Sequence, residues 1–160
     1  MPNSIFFIDG HYSIEASSLK KESGINISSL SDYINKNPEF KRILFNNPSD
    51  YAESRLSGIK DKKPTYFISL NSLLSSGTVI EVEKDKNVYE TINIIHSFSN
   101  IEPEIVINPY IIIVCKEGSK VSFQEISHNV ASWNNTLKEI FIRKDANLTF
   151  SSLQERICLL

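Results

Sequence analysis

Glu83-Lys84-Asp85-Lys86-Asn87-Val88, Lys116-Glu117-Gly118-Ser119-Lys120-Val121 and Arg143-Lys144-Asp145-Ala146-Asn147-Leu148 are three copies of one turn pattern, each set between two apolar runs. Every copy opens on two charged residues, passes through turn formers and ends on an aliphatic that begins a new alternating segment. The copies fall 33 and 27 residues apart. A strand, a sharp polar turn and another strand, repeated at that period, is the pattern of stacked supersecondary units and predicts a β-solenoid. A series of ordinary hairpins is the competing reading.

Outward from the turns, the hydrophobic period is two. Ile80 and Val82 alternate with Glu81 and Glu83, while Ile92, Ile94, His96 and Phe98 share a side opposite Asn93 and Ser97. Phe123 alternates with Ser122 and Gln124, Ile140 and Ile142 alternate with Phe141 and Arg143, and Phe150 continues from Leu148. Such alternation predicts strands with one face in the core. Ile111-Ile112-Ile113-Val114 is apolar on both sides, which predicts a strand covered on both faces. After residue 60 the only glycines are Gly77 and Gly118, so Asn, Asp and Lys must carry the turns.

The N-terminal part reads differently. Residues 5–14 are extended, with Asp9-Gly10 as a turn between Phe6-Phe7-Ile8 and His11-Tyr12-Ser13. Residues 28–45 read as helical: Ser28 or Ser29 is a cap, and Leu30, Tyr33 and Ile34 follow at helical spacing. Pro38 breaks that helix or starts a second, with Phe40, Ile43 and Leu44 on one face. Further helical turns are expected over residues 50–59, and a short buried helix over residues 66–75. The resulting division is an N-terminal extended and helical region, residues 1–64, and a β core, residues 65–160.

A chain of 160 residues is long enough for one domain with a substantial core. Its 41% apolar and 22% charged residues are ordinary for a globular protein. A net charge of −2 excludes a global attraction to nucleic acid or anionic lipid. The one basic cluster, Lys60 to Lys63, is interrupted by Asp61 and reads as a solvated loop. Met1-Pro2-Asn3-Ser4 lacks the basic start of a secretory signal. The most apolar stretch, residues 105–115, is broken by Asn108-Pro109 and falls short of the roughly 20 residues that span a bilayer. The expected location is cytoplasmic.

No constellation of side chains has the spacing of a reactive or metal site. His11 adjoins a turn and is expected at the surface, His96 falls on the inward series as a hydrogen-bonded core histidine, and His128 reads as part of a turn with Asn129. Cys115 ends an apolar strand and reads as an inert small hydrophobe, whereas Cys158 lies near the C-terminus with Arg156 but without a histidine beside it. The pairs Glu81 with Glu83 and Glu102 with Glu104 are explained as well by surface solvation as by acid–base work. Phosphate-loop, dinucleotide and nucleophile-elbow motifs are absent from the sequence. The expectation is a protein without catalytic, cofactor-binding or metal-ligating residues, and not an enzyme.

Three stretches resemble the SufB/SufD family of iron–sulfur cluster assembly scaffolds, SufD more than SufB. Phe6-Phe7-Ile8-Asp9-Gly10-His11-Tyr12-Ser13 is similar to that family's early apolar pair and polar-Gly turn. Phe67-Ile68-Ser69-Leu70-Asn71-Ser72-Leu73-Leu74 followed by Gly77-Thr78-Val79-Ile80-Glu81-Val82 resembles its "ALNTAL" element and first core strand, and Val88-Tyr89-Glu90-Thr91-Ile92-Asn93-Ile94 continues in register. Asn108-Pro109-Tyr110-Ile111-Ile112-Ile113-Val114 resembles its "HPRVLIV". The likeness covers residues 66–126 well and residues 6–155 loosely.

The resemblance implies a helical N-terminal region followed by a right-handed parallel β-helix. It also implies a non-catalytic role in the SUF system, where a SufB–SufD pair carries two copies of the ATPase SufC and a cluster is assembled for transfer. The chain departs from the family at Lys84-Asp85-Lys86, where the family has Pro-x-Gly, and at Asn108-Pro109-Tyr110, where it has His-Pro-Arg. It is expected to end partway through the β-helix, without the C-terminal domain that holds SufC, so none of the family's functional residues maps onto it. The expected partner is a SufB-like subunit or a second copy, engaged through the uncovered last strands from Leu148 onward. A stand-alone solenoid binding module is the alternative. A carbohydrate-acting β-helix enzyme would need charged residues clustered on one face. The outward positions Asn93, Ser97, Ser122, Gln124, Arg143 and Ser151 are mostly uncharged.

Overall fold

The computed structural model describes residues 2–40, 77–98, 106–129 and 133–156. In chain order these form β1 (Ser4–Ile8), β2 (His11–Ser18), β3 (Ile25–Ser29), α1 (Leu30–Lys36), β4 (Thr78–Val82), β5 (Ile92–Ser97), β6 (Val106–Ile107), β7 (Tyr110–Cys115), β8 (Lys120–Asn129), β9 (Trp133–Asn134), β10 (Leu137–Ile142) and β11 (Asn147–Arg156). The fold is mainly β, and two of its three sheets are mixed. One sheet runs β11-β8-β5-β1-β2, a second β10-β7-β4-β3, and β6 pairs with β9. All pairs are parallel except β1 with β2 and β3 with β4.

Each of the three repeated turns joins a strand of the second sheet to a strand of the first: β4 to β5, β7 to β8 and β10 to β11. Every repeat therefore advances both sheets by one strand. Equivalent side chains stand in columns, such as Ile80, Ile113 and Ile140 on one sheet and Ile92, Phe123 and Phe150 on the other.

The turns match in backbone detail as well as in sequence. The third residue of each copy is left-handed: Asp85 at φ 57°, Gly118 at φ 69° and Asp145 at φ 57°. The fourth residue's N–H returns to the first residue's carbonyl, at 3.3 Å for Lys86 to Glu83 and 3.1 Å for both Ser119 to Lys116 and Ala146 to Arg143. Neighbouring turns are then tied together. Asp85 N–H donates to the Glu117 carbonyl at 2.8 Å, and Gly118 N–H to the Lys144 carbonyl at 3.0 Å. Aspartate tolerates this conformation through its short polar side chain, and glycine adopts it without a Cβ penalty. Gly118 is also confined sterically, because a Cβ there would lie 2.2 Å from Asp85 Oδ1.

Two apolar clusters flank the second sheet. The inner one holds Ile5, Phe7, Ile80, Val82, Ile92, Ile94, Ile111, Ile113, Cys115, Val121 and Phe123, contributed by both large sheets. Burying each aliphatic of this size is worth about 2 kcal/mol. The outer one forms where α1 and Phe40 cover Val79, Ile112 and Val114. Ile111, Ile112 and Ile113 are wholly buried, as a strand covered on both faces requires. Ser29 caps α1 by accepting from Asp32 N–H at 3.1 Å, and Asn37 closes it with an N–H bond to the Tyr33 carbonyl at 2.9 Å.

The expected α-helical N-terminal region is not what the described residues form. Among the described residues its helix is α1 and a helical turn starting at Pro38. The chain before it is three strands. β1 and β2 are joined through Asp9 and Gly10, both at positive φ, which gives the twist a two-residue hairpin needs. β1 pairs with β5, so Ile5 and Phe7 enter the inner core, and β3 pairs with β4. Tertiary pairing decides this: a five-residue Ile25–Ser29 segment is too short to show its own period but has the edge of β4 to bind. His128 and Asn129 also differ from expectation. They continue β8 opposite Glu155 and Arg156 instead of forming a turn. The expected helices over residues 50–59 and 66–75, the Lys60 to Lys63 cluster, Glu102, Glu104 and Cys158 lie outside the described residues.

Candidate functional site

The two large sheets end differently on their two sides. On one side β2 and β3 close the parallel strands with antiparallel partners. On the other, β10 and β11 run parallel to their neighbours and, like β2 and β3, pair on one side only among the described residues. Ile140 and Ile142 continue the inner columns of Ile80–Ile113 and Val82–Cys115, yet they are 41% and 53% exposed where their predecessors are fully buried. Leu153 on β11 is 46% exposed. Leu148 and Phe150 pack on the inner core and are only partly buried. The side is thus an apolar surface bordered by strand edge that is unpaired among the described residues, the combination that invites pairing with another chain.

Beneath it lies a polar cluster inside the core. The inward column Ile5, Ile94, Glu125, Ser152 changes from aliphatic to polar along the sheet, and so does Phe7, His96, Ser127, Gln154. Glu125 is 2% exposed and His96 1%. The carboxylate accepts from His96 Nε2 at 3.0 Å, from Lys138 Nζ at 2.5 Å and from Ser152 Oγ at 2.8 Å. Lys138 reaches in from β10 and passes over the Phe150 ring at 5.7 Å. His96 stacks on Phe7 with ring centroids 5.4 Å apart, and its Nδ1 is buried without a hydrogen-bond partner among the described residues.

Burial by itself would raise the Glu125 carboxyl, but the three donors outweigh it and hold it at about 2. The group is therefore an anion neutralised chiefly by Lys138. Four strands of both sheets, β5, β8, β10 and β11, meet on this one side chain. Breaking such a buried pair is costly because it strands a charge in apolar surroundings. The cluster's hydroxyls are Ser152, which donates to Glu125, and Ser127, the cross-strand neighbour of His96, and Glu125 is fixed by the donors around it.

The outer face of the second sheet carries a weaker set. Glu81 receives Lys116 Nζ at 2.9 Å, and burial together with a hydrogen bond to Glu81 pushes the Tyr33 hydroxyl well above its ordinary value. Tyr110 donates to Glu139 Oε1 at 2.9 Å. Glu83, read with Glu81 as a carboxylate pair, follows β4 at the surface and accepts from Asn26 instead. The structure separates the two carboxylates.

His96 sits where the alternation put it, as a hydrogen-bonded core residue, and His11 is exposed. Cys115 is buried and burial raises its thiol to about 11, consistent with an inert hydrophobe. Glu125 and Lys138 were not singled out by sequence reasoning. The signal was present, because Glu125 lies at even spacing from Val121 and Phe123 and so belongs to the inward series. Among the described residues no three His, Cys, Asp or Glu side chains converge as a metal site would need, and no helix is long and apolar enough to cross a membrane. Comparison with protein families and with curated proteins finds no match to this chain.

Proposed function

We propose that the two large sheets are walls of one right-handed parallel β-helix. On this reading the chain is a non-catalytic scaffold of the SufB/SufD kind in iron–sulfur cluster assembly. Its uncovered β10–β11 side docks onto a SufB-like subunit or a second copy. The observation that carries the reading is the exposure of Ile140 and Ile142, in columns whose earlier members are completely buried. A partner strand laid along β11 would satisfy the unpaired edge and cover Leu153 at the same time. Contact with a SufC-like ATPase is not part of this reading, because no described segment is assigned to it.

A second reading keeps the β-helix and drops the pathway: a stand-alone interaction module. It is favoured by the two departures from the family pattern, Lys84-Asp85-Lys86 and Asn108-Pro109-Tyr110. Mixing the purified chain with SufB-like and SufC-like subunits and measuring mass by light scattering separates the two. Co-elution with the SufB-like subunit, lost in Ile140→Lys/Ile142→Lys, supports the scaffold. Self-association alone, lost in the same variant, supports the module. A chain that stays monomeric and binds neither subunit refutes docking through this side.

A further inference from the structure

A groove of about 520 Å³ lies near the opposite, β2–β3 side of the sheets, between the loop that links β2 to β3 and the segment leading from β4 to β5. Neither the polar core nor the proposed docking side includes it. Its walls hold three lysines, Lys20, Lys21 and Lys86, with Glu22 and Glu90, Asn3 and Asn87, and Tyr89. No other described aromatic is left as open as Tyr89, which is 89% exposed.

The walls are built, not a random scatter of surface charge. Glu90 accepts from Lys20 Nζ at 2.5 Å and also from Asn3 Nδ2. Asn3 is itself 6% exposed and held at φ 55°. These bonds, that from Lys20 first, hold the Glu90 carboxyl below the ordinary range, so it stays an acceptor with its orientation fixed. Lys86 is placed by Gly24. That glycine has φ +67°, and a Cβ on it would lie 2.4 Å from Lys86 Cγ, so the lysine's aliphatic stem runs directly over the glycine backbone. Neither Lys86 nor Lys21 has a carboxylate partner among the described residues. The groove thus combines an open aromatic face, an oriented carboxylate, a surface amide at Asn87 and two cations without carboxylate partners among the described residues.

We propose that this groove binds an acidic saccharide. A sugar presents an apolar C–H face that packs on an aromatic ring, and hydroxyls that donate to a fixed carboxylate and exchange bonds with an amide. Lys21 and Lys86 then take up its carboxylate or sulfate substituents through charge-assisted bonds. A phosphate or other small anion would use the lysines alone and leave Tyr89 and Glu90 without a role. An acidic peptide would use the charge without the ring face. The inference does not depend on the proposed scaffold role, because the groove and the β10–β11 side share no residue.

The test is an amide NMR titration of the full chain with tetragalacturonate, with maltotetraose, tetraglutamate and inorganic sulfate as comparisons. Tetragalacturonate is expected to shift the amides of residues 20–24 and 86–92 with millimolar or tighter affinity, at least about tenfold tighter than each comparison. Tyr89→Ala and Lys86→Ala should each weaken it about tenfold. Tyr89 is exposed, so its loss leaves the core intact, and unchanged shifts elsewhere in the spectrum confirm that. Equal binding of tetraglutamate or sulfate overturns the proposal, as does unaltered affinity in Tyr89→Ala. So does the absence of any shift at about 10 mM tetragalacturonate.

Discussion

Ile113 and Ile140 are neighbours in one column, carry the same side chain and face the same way, yet one is wholly buried and the other 41% exposed. The difference is position in the stack. Ile113 has β4 on one flank and β10 on the other, while β10 has β7 alone among the described residues. Identical local sequence rules make both strands, but only the middle one is fully repaid by burial. Stability should therefore fall off across the repeats, with the first and second units forming the rigid part and the third depending on what covers it.

The sharpest way to break this contrast is to truncate both isoleucines. Ile113→Ala should cost about 4 kcal/mol in urea-induced unfolding, and Ile140→Ala less than about 1. Equal costs would mean that the third unit is as well packed as the second. If a partner covers β10 and β11, the Ile140→Ala penalty should grow in the complex and leave that of Ile113→Ala unchanged.

Glu125 links the two regions, so its removal should uncouple them. Glu125→Ala leaves Lys138 and His96 without their acceptor and should cost about 3 kcal/mol. Hydrogen exchange should rise first in β10 and β11. The same bond predicts acid sensitivity. The carboxyl is held at about 2 in the folded chain, below its unfolded value of roughly 4.5, so its contribution is complete above that value and disappears as pH falls toward 2. Unfolding free energy measured between about pH 5 and pH 2 should drop in the parent, and drop less in Glu125→Gln. Matching pH profiles would assign the acid sensitivity to other groups.

The smallest effect concerns the turns. Gly118→Ala should cost about 2 kcal/mol, part from the left-handed backbone and part from the Asp85 side chain above it. In an Asp85→Ala background the steric part vanishes and about 1 kcal/mol should remain. A full penalty in both backgrounds would show that the backbone alone sets it.

The sequence was most legible where backbone chemistry is local. The third position of each repeated turn, Asp85, Gly118 and Asp145, is left-handed in every copy, and the Asp9-Gly10 hairpin is present as expected. The unbroken apolar run of Ile111 to Val114 was legible as a strand covered on both faces, and alternation placed His96 inside. Non-local features were not legible. β3 spans five residues and shows no period, and β2 runs on past residue 14, where the expected extended segment ended; both form along an available sheet edge. Period two also tells which way Ile140 and Ile142 face, but not whether anything lies beyond them. The Glu125–Lys138 pair joins strands of different sheets, a relation that no spacing along the chain encodes.

β1, the first of the described strands in chain order, lies between β2 and β5, with Ser4 opposite Asn93. The β1–β2 hairpin can form at once, but its parallel edge must wait until residues 92–97 exist. Closing so long a loop is slow and gains nothing until the two strands meet. The repeats, by contrast, join neighbours about 30 residues apart. Assembly should therefore proceed from the repeats backward, with β1 docking late. During that interval Ile5 and Phe7 are uncovered, and this is the window in which chaperone capture or misassociation of a newborn chain would concentrate.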